Sequence, residues 1–375
     1  MFEDVGQWKR PWYYPKNAES MQNAVSRECL AVRNSVGVLD ATTLGKIDIQ
    51  GPDAADFLNR VYTNAWSKLD IGRCRYEIMC KEDGMTFDDG VTLRLGENHF
   101  LMTTITGNAA AVLDRLEDHL QIEWPDMKVY LTSVTGHWAI ASIAGLKARG
   151  LMRDLAPDLD LSVEAFPFMS MKEATVAGIE ARVYRISFTG ELSFEINVPA
   201  YQGMALWEAI FAAGEKIRLT PYGTETMHVL RAEKGLIIVG QEIDGTVTPY
   251  DLGLDWIVSK KKADFVGKLS CSRPDTARDD RKQLVGLLTD DPNEVLPEVA
   301  QITEEADGTP PVSILGRVTS SYHSSTLGRS IALAVIKGDR NPMDATVHAS
   351  LGDKTLLCKV VASIFFDAEG ERLNG

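Results

Sequence analysis

Two stretches of this chain, 94 positions apart, carry the same short pattern, and that pattern limits the architectures open to it. In the first, residues 46–50 alternate polar and apolar as a half-buried strand does, Gly51-Pro52-Asp53 turns the chain, and 54–62 spaces its apolar residues as a helix. In the second, the apolar run 138–144 reads as a buried strand, Gly145 turns it, and 147–155 reads as a helix. Each glycine is followed three positions on by alanine (Ala54, Ala148). Large apolar residues then fall six and seven positions on: Phe57 and Leu58, Leu151 and Met152. A pattern that occurs twice predicts two related α/β units rather than a solenoid, which needs three or more. Asp53 has the right chemistry to cap the first helix.

Around these units, 36–40 reads as a strand, and 91–95 with 99–104 as a hairpin across Gly96-Glu97-Asn98. Residues 108–120 form an amphipathic helical pattern. Two more strands, 181–188 and 192–198, are joined by Thr189-Gly190-Glu191, and 203–214 and 224–232 are helical. The stretch 271–282 (CSRPDTARDDRK) is polar and aperiodic, which places a domain boundary between 1–272 and 283–375. Beyond it, the short segments 283–288, 316–321, 330–336, 345–350 and 355–363 predict a β-barrel-like domain. Residues 290–311 read as an acidic surface loop.

Several function classes fall away. The formal charge of -14 argues against general binding to nucleic acid or anionic lipid. No apolar run reaches the ~18 residues of a membrane helix, and the N-terminus lacks a signal-peptide pattern. The five scattered cysteines contain no CxxC and fit a reduced, cytoplasmic setting. No two of the six histidines stand four apart, so no metal site is expected. GxGxxG after a strand, GxxxxGK[ST] and GxSxG are absent, so no FAD or NAD site is expected in this chain.

Three places can carry chemistry. Asp88-Asp89 sets two carboxylates on opposite sides of an extended segment, one able to face a pocket, although the pair reads equally as a turn before a strand. In 187–196 (SFTGELSFEI), Phe194 and Ile196 on one face leave Glu195 on the other. A carboxylate there can take two parallel N–H donors, and a solvated strand face is the alternative. In 224–235 (TETMHVLRAEKG), Arg231 can hold a ligand carboxylate or be surface charge.

Taken in order, 36–49 (VGVLDATTLGKIDI), 82–91 (EDGMTFDDGV), 188–196 (FTGELSFEI), 230–235 and 240–244 resemble the folate-binding aminomethyltransferase family, typified by the glycine cleavage T-protein. The segments 2–15, 62–66 (YTNAW) and 220–248 are similar to the C-terminal half of the alpha subunit of heterotetrameric sarcosine oxidase. That subunit also carries a dinucleotide-binding half, so the chain is expected to be a separate relative or a fragment beginning at the junction. The resemblance implies an α+β fold. It is a three-lobed ring of two related α/β lobes, spanning 1–272, and a C-terminal β-barrel, with a central folate funnel. It implies a catalytic Asp89 and a pterin-binding Glu195. It also brings Arg231 and Tyr76 to the folate, with residues 103–106 along the funnel. The family's usual tyrosine before Thr-Gly-Glu is Phe188 here, so that position keeps its place in the wall without the hydroxyl.

The implied reaction captures the formaldehyde-level carbon of an N-methyl amine imine on tetrahydrofolate, giving 5,10-methylenetetrahydrofolate, with flavin-containing oxidase subunits as partners. The alternatives are aminomethyl transfer from a lipoyl carrier protein, another folate-dependent demethylation, and a non-catalytic folate-binding subunit.

Overall fold

The glycine of each repeated unit turns a strand into a helix in the same way. In this computed structural model, which describes residues 1–306, 312–338, 343–351 and 354–374, Gly51 and Gly145 adopt φ of 131° and 128°. Eight-residue helices follow at Ala54–Val61 and Ala148–Leu155. Each helix buries the same four positions: Ala54, Phe57, Leu58 and Val61 in one, Ala148, Leu151, Met152 and Leu155 in the other. Asp53 does not cap its helix. Its carboxylate instead accepts the Lys128 amide at 2.8 Å and so ties the turn to the chain entering strand Tyr130–Ser133.

Each unit belongs to its own sheet. The first sheet orders its strands Cys74–Cys80, Thr86–Gly96, His99–Thr104, Gly45–Gln50 and Tyr130–Ser133, all antiparallel. Helices Ala54–Val61 and Ala109–Asp118 cover one of its faces around Phe57, Phe100 and Leu116. The second orders Ser170–Val176, Ile179–Arg185, Ser193–Pro199, Trp138–Ala144, Gly37–Asp40 and Thr220–Pro221. Helices Ala148–Leu155 and Gly203–Gly214 pack on it around Ile143, Phe166 and Phe194.

The third body is a closed six-stranded barrel, ordered Lys282–Thr289, Arg329–Lys337, Gly316–Ser324, Gln301–Thr303, Thr346–Leu351 and Lys354–Val361. Closure leaves no free edge, which lets so small a sheet keep its own core of Val285, Ile302 and Val360. The expected loop 290–311 is interrupted: Gln301–Thr303 is a barrel strand, paired on both sides, and residues 307–311 lie outside the described residues. Helices Met21–Asn34 and Thr224–Glu233 pack against each other between the second lobe and the barrel, around Val32, Leu230 and Leu333. The architecture is therefore two related sheet-and-helix lobes and a barrel. Among the described residues no helix is long and apolar enough to cross a membrane.

Candidate functional site

A cavity of about 860 Å³ opens between the two lobes. The first lobe contributes Tyr76, Asp89 and Thr103. The second contributes Phe188 and Glu195, and helix Thr224–Glu233 with the connection after it closes the far side. The barrel contributes none of the lining residues and supports that connection from behind, through the apolar contacts of Val335 with Ile237 and Ile243.

Asp88 and Asp89 lie inside strand Thr86–Gly96, not in a turn before it. Pairing with Cys74–Cys80 on one side and His99–Thr104 on the other holds the segment extended, so the two carboxylates point apart. Asp88 turns inward, accepting Thr104 Oγ1 at 2.7 Å and Asn108 Nδ2 at 2.9 Å. Asp89 faces the cavity and accepts the Tyr76 hydroxyl at 2.7 Å. Burial pushes the Asp89 carboxyl up to about 6, with the Tyr76 bond and the Arg231 charge pulling down and Glu242 pushing up. Burial and the neighbouring Asp89 charge push Asp88 up to about 7. The Tyr76 phenol is itself driven well above its usual range by burial, so it stays a donor.

Glu195 sits on strand Ser193–Pro199 between Phe194 and Ile196, whose side chains enter the core of the second lobe. Period-two alternation then turns Glu195 into the cavity. Among the described residues no donor reaches its carboxylate oxygens. Burial pushes the group up to about 7 and the Lys46 charge opposes this. Lys46 is fully buried and donates to the carbonyls of Thr42 at 2.8 Å and Leu44 at 2.9 Å, with Thr135 at 3.3 Å.

Phe188 lines the cavity just before the turn Thr189-Gly190-Glu191. That turn is held by Arg33, which donates to the Thr189 carbonyl at 2.8 Å and to Glu191 at 2.7 Å. Glu191 is thus a buried anchor of the turn. Of residues 103–106, Thr103, Thr104 and Ile105 reach the cavity wall.

Arg231 does not reach it. The side chain is fully buried and bonds Glu242 at 2.7 Å, the Leu236 carbonyl at 2.8 Å, Ser320 Oγ at 2.6 Å and Gln241. Glu242 also accepts Thr319 Oγ1 at 2.8 Å, from a bulge in barrel strand Gly316–Ser324. The bulge inserts Thr319 as the extra residue and aims it off the ladder. The acceptors of the 235–242 connection take up the guanidinium first, so Arg231 acts on the site as a charge behind Asp89.

Several polar lining residues gave no sequence signal, among them Arg10 and His228. Arg10 enters from the N-terminal hairpin Phe2–Val5 and Trp8–Pro11, and His228 from helix Thr224–Glu233. Burial and the Arg231 and Arg10 charges lower His228 to about 3, so it is a neutral imidazole. A lone arginine in a short polar hairpin and a lone histidine on a helix have no spacing that marks them.

The same chain matches known families along its length. The model for the GCVT N-terminal domain covers residues 1–262, and that for the glycine cleavage T-protein C-terminal barrel domain covers 282–367. The chain is 54% identical over its whole length to a sarcosine oxidase subunit alpha from Corynebacterium sp. (strain U-96), spanning 39% of that protein. It is 30% identical to an aminomethyltransferase from Bacillus subtilis, over 97% of this chain and 94% of that one. The crystal structure of glycine cleavage system aminomethyltransferase T from Bartonella henselae superposes with a TM-score of 0.83. The match covers 98% of this chain and 94% of that one at 23% identity, a correspondence of fold.

Proposed function

Because the chain belongs to the aminomethyltransferase family, with its GCVT N-terminal domain and glycine cleavage T-protein C-terminal barrel, we propose that it transfers a one-carbon unit to tetrahydrofolate. On this reading the carbon comes from the imine of an N-methyl amine such as sarcosine, and a flavin-containing oxidase partner makes that imine. Residues 1–272 form the binding region and 283–375 the barrel that supports it. The setting is cytoplasmic. The observation that carries the reading is Glu195: a carboxylate enclosed by protein, without a hydrogen-bond partner among the described residues, and facing a cavity that also holds Asp89.

The residues fit a reduced folate. A pterin edge offers two parallel N–H donors, and Glu195 offers two oxygens that no donor among the described residues occupies. Lys46 keeps a positive charge near Glu195 without occupying its oxygens, which favours the ionised acceptor. Phe188 and Ile186 give an apolar wall for rings.

Tetrahydrofolate supplies two nitrogens, N5 and N10, that together take up one carbon at the formaldehyde level. One iminium cation and tetrahydrofolate give 5,10-methylenetetrahydrofolate and one ammonium product, with no net oxidation. Asp89, ionised above about pH 6, stabilises the cation and accepts or relays the released proton. Tyr76 fixes the carboxylate that performs this. Low dielectric around the pair strengthens its pull on a cationic carbon.

The chain spans 39% of the length of the sarcosine oxidase alpha subunit it matches at 54% identity. Its full-length match to aminomethyltransferases supports a second reading, transfer of an aminomethyl group from a lipoyl carrier protein. A supply-and-trap assay separates them. The purified chain receives tetrahydrofolate and sarcosine, dimethylglycine, a sulfonium donor or an aminomethylated lipoyl carrier, with and without flavin oxidase subunits. Methylenetetrahydrofolate formed only with amine and flavin subunits supports the first reading. Turnover of the carrier alone supports the second, and turnover of the sulfonium alone replaces both. In parallel, calorimetry on Glu195→Gln is expected to show tetrahydrofolate affinity reduced about 10- to 100-fold, the worth of a charge-assisted pair. Absence of binding by the unaltered protein would overturn the folate assignment.

A further inference from the structure

We infer that Arg10, carried into the cavity wall by the N-terminal hairpin, anchors a carboxylate of the bound ligand. The inference rests on the folate reading and adds the residue that holds the acidic end.

The hairpin is fastened, not loose. Trp12 Nε1 donates to Glu225 at 3.0 Å, the Glu225 amide donates to the Trp12 carbonyl at 3.1 Å, and Thr224 Oγ1 donates to Glu3 at 2.5 Å. All three contacts meet the first turn of helix Thr224–Glu233. Arg10 pairs in register with Glu3, and its side chain is only 14% exposed. A cation is thus held in a fixed place at the cavity wall.

Its donors are unused. Among the described residues, the nearest carboxylate oxygen to the Arg10 guanidinium is that of Glu3, at 3.9 Å, beyond hydrogen-bond reach. Glu3 is already engaged by Thr224. Asp40 acts on Arg10 through charge alone. Burial disfavours this cation, as it must where no acceptor repays the lost hydration.

The other cations near the cavity each already hold a protein partner. Arg75 donates to the Ala65 carbonyl and lies over the Trp66 ring. Lys46 is spent on backbone carbonyls, and Arg231 on Glu242. Arg10 is therefore the lining arginine whose guanidinium has every donor free among the described residues, the geometry that binds a carboxylate through two parallel bonds. Two acidic sources fit a one-carbon transfer to folate: the glutamyl tail of the folate, and the carboxylate of an amino-acid amine. Neutral His228 beside it adds no competing charge.

The test compares the unaltered protein with Arg10→Met and Arg10→Lys in calorimetric titrations. The probes are tetrahydrofolate, its glutamyl dimethyl ester, and sarcosine added to folate-saturated protein. Thermal melts first establish that the variants fold alike. Arg10→Met is expected to weaken a carboxylate-bearing probe about 10- to 100-fold, with Arg10→Lys intermediate and the ester unaffected. A loss on tetrahydrofolate assigns the tail, and a loss on sarcosine assigns the amine. Equal affinities of all three proteins for both acids, or equal losses on acid and ester, would overturn the inference while leaving the folate reading intact. No tetrahydrofolate binding by the unaltered protein would remove that reading and this inference together.

Discussion

At Asp89 the enclosure that raises the carboxyl to about 6 costs folding free energy whenever the group is ionised. The folded-state pKa lies above the unfolded value of about 3.9, so the contribution to stability is complete below pH ~4 and is lost as pH rises through about 6. Asp89→Asn should therefore raise the Tm at pH 8, by about 2 °C, and not at pH 4, in melts run across that window. The same substitution should lower one-carbon transfer by about 10²- to 10⁴-fold while tetrahydrofolate affinity stays within a few-fold. The transfer rate of the unaltered protein should climb with pH around 6, as the carboxylate forms. A variant that transfers carbon at the full rate would remove Asp89 from the chemistry. The pair was visible in the sequence as two carboxylates facing opposite ways on an extended segment, but the strand was read only from 91, whereas it begins at Thr86. Nothing in Asp88-Asp89 favours extended structure locally, and pairing on both sides overrides that preference. Arg231 shows the reverse failure. Its position in the sequence was clear, but its partners Glu242 and Ser320 lie in other parts of the chain.

At the scale of elements, the two repeated units were legible because each glycine and its four buried followers are set by one local geometry. Strand Cys74–Cys80 was not, because Glu77, Ile78, Met79 and Cys80 are all buried in succession and erase the alternation a half-exposed strand shows. Helix Met21–Asn34 was missed for a related reason: its inward face carries Glu28 and Arg33 among the apolar residues, which breaks the amphipathic period. The repeat makes a sharp prediction. A Cβ at Gly145 would stand 2.5 Å from the Val32 carbonyl oxygen and 2.6 Å from that of Ser35, at φ 128°. Backbone cannot yield as a side chain can, so Gly145→Ala should cost about 2–4 kcal/mol in urea unfolding. Gly178→Ala, at φ 80° with open space around it, should cost only about 1 kcal/mol. Equal costs would mean that the strand-to-helix turn is not the constraint the two lobes share.

Across the whole molecule, one buried charge cluster joins the site to bodies distant in sequence. Arg33, from helix Met21–Asn34, bonds Glu191 at 2.7 Å and Glu233 at 2.6 Å, and lies 4.5 Å over the Phe366 ring. Arg372 reaches the same Glu191 at 2.7 Å, and barrel Ser324 donates to Glu233 at 2.6 Å. The turn between Phe188 and Glu195 is thus fixed by the second lobe, a bridging helix, the barrel and the C-terminal segment together. Glu191→Gln keeps the shape and removes the charge that two arginines share, leaving the buried Arg33 undercompensated. It should cost about 3 kcal/mol in urea unfolding. Because Glu191 holds the turn that presents Phe188 and leads into the strand of Glu195, tetrahydrofolate affinity should fall with it. Arg278→Ala provides the contrast. Its partners Asp275 and Asp280 are exposed surface carboxylates, and screening leaves such pairs worth under about 1 kcal/mol. If Glu191→Gln proved as mild as Arg278→Ala, the lobes and barrel would be held by their apolar contacts and by the separate Arg231–Ser320 and Glu242–Thr319 bonds. The site's geometry would then not depend on the charge cluster that now links them.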